Sequence, residues 1–119
     1  NNVVQGFTVL DEEKSEAVGF VFAYWLKSHP EEAAAWLEAR DPGEALDPAM
    51  RAMAHSKLES NPVLAIDWAH RIHDPGTRER TLVRVGQAWF GKDPNATRRW
   101  LEVSDLPKAA RKRILETRR

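Results

Sequence analysis

Asn61-Pro62-Val63-Leu64-Ala65-Ile66-Asp67-Trp68-Ala69 decides the fold, because the chain carries the same phrase twice more. One copy reads His29-Pro30-Glu31-Glu32-Ala33-Ala34-Ala35-Trp36-Leu37, the other Asp93-Pro94-Asn95-Ala96-Thr97-Arg98-Arg99-Trp100-Leu101. Pro30, Pro62 and Pro94 stand 32 residues apart, and each tryptophan follows its proline by six. A fixed period of this size marks stacked supersecondary units. Proline suits the first position of a helix, where its missing N–H would have no partner anyway. Asn61 and Asp93 are strong N-cap residues, and His29 is a weaker one. Each phrase therefore opens a helix.

Counted from the proline, Ala33/Ala65/Thr97, Trp36/Trp68/Trp100 and Leu37/Ala69/Leu101 fall on one helical stripe. The tryptophans read as core, and stacking on a ligand is the alternative. A second helix precedes each proline. Its apolar columns are Val18/Met50/Leu82, Val21/Met53/Val85, Phe22/Ala54/Gly86 and Leu26/Leu58/Phe90. Trp25 and Trp89 occupy one further column, which holds Lys57 in the middle unit. Ile114 continues the Val18 column into a closing helix with a basic outer surface. Gly86 stands where a small residue admits a bulky neighbour.

Asp41-Pro42-Gly43, Asp74-Pro75-Gly76 and Asp105-Leu106-Pro107 read as turns, with proline fixing φ and glycine accepting a positive one. The expected helices are 11–28, 30–39, 46–59, 62–72, 77–91, 94–103 and 106–117. Residues 1–10 form a short extended lead-in, with Phe7, Val9 and Leu10 free to tuck under the first helix and Asp11 as its cap. The fold class is all-α: one domain over residues 11–119, a right-handed stack of about three and a half helical hairpins, about seven helices in all. No period-2 run predicts a sheet.

The pattern resembles TPR-like and HEAT-like helical-hairpin repeats over residues 11–117. Asp93-Pro94-Asn95 looks like the junction at which one TPR repeat closes and the next begins. The 32-residue period differs from the usual 34 of that family, and the W-x2-L-G-x2-Y signature is missing. The pattern is also similar to that of poorly characterised bacterial repeat proteins. The resemblance implies an α-solenoid scaffold with one concave, partner-binding side.

The chain has 119 residues and no cysteine, which excludes disulfides, cysteine-ligated zinc and a thiol nucleophile. No apolar run reaches the roughly 18–20 residues that cross a bilayer. A start at Asn1-Asn2-Val3, without Met or signal peptide, suits an excised domain or processed product. The compartment stays open. Net charge is zero, yet residues 1–60 carry 11 acids against 5 Lys/Arg and residues 61–119 carry 7 against 13. Ordinary solvated helix faces explain such a gradient, and head-to-tail contact or an anionic partner at the basic end are the functional alternatives.

The chemistry-bearing residues are few. Asp67, His70 and His73 follow one another at three-residue steps, which is not the i, i+4 spacing of a zinc helix. Solvation explains them, and a metal-binding or enzymatic role is an alternative. Glu12/Glu13 and Glu31/Glu32 fall in first turns, where they complement the helix dipole. No nucleophile motif, P-loop or dinucleotide motif is present, so no catalytic, cofactor or metal residue is assigned. Arg98, Arg99, Lys108, Arg111, Lys112 and Arg113, followed by Arg118 and Arg119, form a basic patch that could neutralise phosphates. No aromatic is interleaved on that face, so nucleic-acid binding is the alternative reading. The leading reading is a non-catalytic protein–protein interaction module within a larger polypeptide. Its partner would be a protein, a peptide or a neighbouring domain. Glu32, Glu38, Asp67, His70, Arg71, Arg99 and Glu102, on the proline-initiated helices, are its candidate contacts.

Overall fold

The computed structural model of the chain describes residues 12–117. Among these, seven α-helices follow one another: α1 (Glu12–Ser28), α2 (Pro30–Glu38), α3 (Asp47–Lys57), α4 (Pro62–His70), α5 (Pro75–Lys92), α6 (Pro94–Val103) and α7 (Lys108–Leu115). A single 3-10 turn, Glu44–Leu46, leads into α3, and no strand occurs among the described residues. The lead-in with Phe7, Val9 and Leu10, the cap Asp11, and Arg118 and Arg119 lie outside them.

Consecutive helices pair as hairpins, α1 with α2, α3 with α4 and α5 with α6. Across the hairpins α1 touches α3, α3 touches α5 and α5 touches α7. The helices that precede the prolines thus form a continuous spine. The molecule measures 47 × 26 × 21 Å. The middle extent is the length of a 17-residue helix at about 1.5 Å per residue, and the shortest is two helix layers of about 10 Å each.

The caps follow the chemistry of the sequence. Asn61 Oδ1 accepts from Leu64 N at 3.2 Å, and Asp93 Oδ1 from Ala96 N at 3.0 Å. His29 makes no side-chain cap bond. The Asp-Pro-Gly segments behave differently from the expected turns. Asp74 is an N-cap whose Oδ2 accepts from Thr77 N at 2.9 Å, and Pro75 opens α5. The helix thus begins two residues earlier than expected, because a proline after a good cap is a helix start. No glycine takes a positive φ among the described residues, and Gly43 is extended at −178°.

The core closes through Leu37, Met50, Met53, Val85 and Ile114 of the apolar columns, joined by Ile72 and Val83, all but inaccessible. Val21 departs from its column. Met53 and Val85 are 1% and 0% exposed, but Val21 is 67% exposed. The tryptophan column divides as well. Trp68 is buried at 3%, whereas Trp36 and Trp100 are only partly buried. Those two meet the other tryptophan column edge-on or tilted, Trp25–Trp36 at 5.8 Å and Trp89–Trp100 at 6.0 Å between ring centres. Lys57 denies Trp68 such a partner, and the Arg71 guanidinium lies 4.1 Å from its ring centre instead.

Two glycines mark close approaches on the spine. A Cβ on Gly86 would lie 2.6 Å from Ile114 Cδ1 and 3.2 Å from Trp100 Cζ3, so its absence seats α7. A Cβ on Gly19 would lie 2.9 Å from Pro48 Cβ at the start of α3. The buried carboxylate of Asp47 fastens the next joint. Its oxygens accept the backbone N–H groups of His73 at 2.6 Å and Asp74 at 2.9 Å, tying α3 to the α4–α5 connection. The hydroxyls of Thr81 and Thr97, also buried, are satisfied by carbonyls one turn back.

Candidate functional site: the groove between α1 and α3

Where α1 and α3 run side by side the surface opens into a groove of about 800 Å³. Phe20, Ala23, Tyr24 and Lys27 form the α1 wall, and Arg51, Ala52, His55 and Ser56 the α3 wall, with Gly19 and Pro48 at the narrow end. The α1 residues recur at helical spacing, so they lie on one stripe. Phe20 is 77% and Tyr24 76% exposed. Both rings therefore stand in solvent beside small alanines that leave the groove open. Among the described residues, none that lines the groove is acidic.

Electrostatics are one-signed there. The groove walls partly screen the His55 ring from water, and this lowers its pKa from 6.5. Arg51 on its own helix and Arg84 on α5 lower it further by like-charge repulsion.

The contacts expected from the proline-initiated helices are arranged otherwise. Arg71 Nη1 meets Glu38 Oε1 at 3.0 Å, bridging α4 to α2, while its guanidinium covers Trp68. Arg40 likewise lies 4.0 Å over Trp36 and donates to that residue's carbonyl at 2.9 Å. Glu32, Asp67, His70, Arg99 and Glu102 are exposed, and of the whole set the structure joins only Glu38 to Arg71. Among the described residues no three His, Cys, Asp or Glu side chains converge as a metal site. His73 instead lies 4.0 Å from Glu44.

The basic patch is split. Arg98, Lys108, Arg111 and Lys112 surround a cleft of about 540 Å³ between α6 and α7, floored by Leu101 and Leu115. Glu102 and Glu116 share that cleft, while Arg99 and Arg113 are not part of its lining. Arg111 Nε is buried there without a hydrogen-bond partner.

Sequence reasoning passed over Phe20, Tyr24, Arg51 and His55. A signal was present, since the Phe20 column continues as Ala52 and Arg84 and the Tyr24 column as Ser56 and Ala88. Aromatic residues at positions that other units fill with small or charged ones are not required by packing. Comparison with protein-family models, curated proteins and solved structures finds no match to this chain.

Proposed function

We propose that this protein is a non-catalytic protein–protein interaction module. It is an α-solenoid of TPR-like or HEAT-like type within a larger polypeptide, and it receives its partner along the spine helices. One observation carries the reading: Phe20 and Tyr24 stand exposed on an open groove, beside the cations Lys27 and Arg51, and no acid joins them among the described lining residues. Adjacent solvent-exposed aromatics mark interaction surfaces, because they supply much apolar area at small entropic cost. Glu38, Arg71 and Arg40 support the same choice of side, since they are engaged with one another or with tryptophan faces.

Photocrosslinking tests it. A benzophenone amino acid replaces Tyr24 in the full-length polypeptide in its own cells, with Arg99 on α6 as the control position. We expect one discrete cross-linked polypeptide from position 24, lost when Phe20→Ala is added. No product, or the same products from both positions, overturns the reading.

A second reading, polyanion binding at the basic C-terminal helices, is favoured by the gathering of Arg98, Lys108, Arg111 and Lys112 around one cleft. A salt titration with single-stranded DNA decides it. A dissociation constant above about 1 mM at low salt removes it, being weaker than ordinary non-specific binding.

A further inference from the structure

Resting on that reading, we infer that the α1–α3 groove takes an acidic segment of a partner protein that carries bulky apolar side chains. The charge of the groove opposes the charge of its surroundings. Residues 1–60 hold 11 acids and 5 Lys/Arg, yet among the described residues the charged side chains that line the groove are Lys27 and Arg51, with no acid beside them. His55 stands on the α3 wall, and Arg84 bears on it from α5. A basic strip in an acidic half of the molecule attracts carboxylates and repels the cationic segments that the rest of that half would draw.

The apolar half of the recognition comes from Phe20 and Tyr24, one helical turn apart on α1. Their columns hold Ala52 and Arg84, and Ser56 and Ala88, in the other units. The fold is therefore built at these positions without aromatics. Ala23 and Ala52 leave room between the walls for a leucine- or phenylalanine-sized side chain to lie against the rings. Carboxylates on either side of that side chain reach Lys27 and Arg51, and the Tyr24 hydroxyl supplies a polar contact at the rim. The cations also refuse a purely hydrophobic segment, because burying them without a counter-charge is costly. Acidic and apolar residues are needed together.

The test is a titration of the whole chain with a nonapeptide of aspartates and glutamates around a central Leu-Phe pair. Its twin has every acid replaced by lysine. Binding is read by calorimetry and by NMR shifts of the Tyr24 ring and the His55 imidazole. We expect saturable binding of the acidic peptide only, with both rings shifted and the His55 pKa raised. Phe20→Ala and Tyr24→Ala should each weaken it by about tenfold or more, and K27E/R51E should invert the preference between the twins. Their targets are exposed, so an unchanged melting curve separates lost binding from lost folding. Equal affinity for both peptides, or shifts confined to α6 and α7, overturns the inference. Displacement of the peptide by oligothymidylate of equal charge also overturns it. So do cross-peaks from Phe7 or Leu10 to the Tyr24 ring in the free chain, which make its own N-terminal segment the occupant. A charge-indifferent groove that still yields a discrete cross-link at position 24 leaves the interaction module standing and removes only the acidic partner.

Discussion

The middle hairpin and the first one share a register and differ in what covers them. In the middle, α3 is packed by α1 on one side and α5 on the other, and Met53 and Trp68 are 1% and 3% exposed. In the first hairpin α1 touches α2, the 3-10 turn and α3. Its Val21, in the Met53 column, is 67% exposed, and Trp36, in the Trp68 column, is only partly buried. The same periodic position is thus core in one unit and surface in another. A repeat buries its apolar stripe by touching neighbours, so a helix flanked by one spine helix among the described residues keeps apolar surface that a helix flanked by two loses. The groove with Phe20 and Tyr24 lies in that first hairpin, where both rings are exposed outside the described core.

Trp68→Ala is the strongest test of this contrast. It should destabilise the fold by about 3–5 kcal/mol, while Trp36→Ala costs clearly less because its indole is already partly in water. Chemical denaturation of the two variants compares them, and equal losses would end the distinction between the middle and the first hairpin. Next in size is Asp47→Ala. Removing a buried carboxylate that accepts two backbone N–H groups leaves both unpaired, at a cost of about 2–3 kcal/mol. The α4–α5 connection should then lose amide-exchange protection ahead of α1.

The first hairpin should respond far less. Val21→Ala, Phe20→Ala and Tyr24→Ala should each change stability by under about 0.5 kcal/mol, as expected for exposed positions. A larger loss for Val21→Ala would show that its column is covered there too. The smallest effect is on pH dependence. Burial and the neighbouring arginines hold the folded His55 pKa below its unfolded value of 6.5. The unfolded chain therefore takes up the proton first, and stability falls as pH drops from about 6.5 through the folded pKa. His55→Gln should flatten the stability profile over that window, a difference that melting curves at pH 7.5 and 5.5 resolve.

Most of the helical layout was legible because its signals are local. Proline at a helix start, with Asn61 or Asp93 before it, fixes where α4 and α6 begin whatever surrounds them. The reading failed where one residue type serves two local structures. Asp74-Pro75-Gly76 is both a turn sequence and a capped helix start, and the N–H of Thr77 decides for the cap. The candidate site was less legible. Charged residues on α2 and α4 drew attention because they are polar and periodic, but Arg71, which covers Trp68 one turn before it, also bonds Glu38, 33 positions back in the chain, a contact no local rule gives. Phe20 and Tyr24 look like two more apolar helix residues until their neighbours are known.

The sequence by itself determined that the chain is helical, where the proline-initiated helices α2, α4 and α6 start, and which positions recur every 32 residues. Those properties follow from backbone caps and from a periodicity that acts within a few residues. Only the tertiary structure decided which recurring positions are sealed and which stay open. Burial is a property of neighbours across the stack, and α1 lacks, among the described residues, the second flanking spine helix that encloses α3.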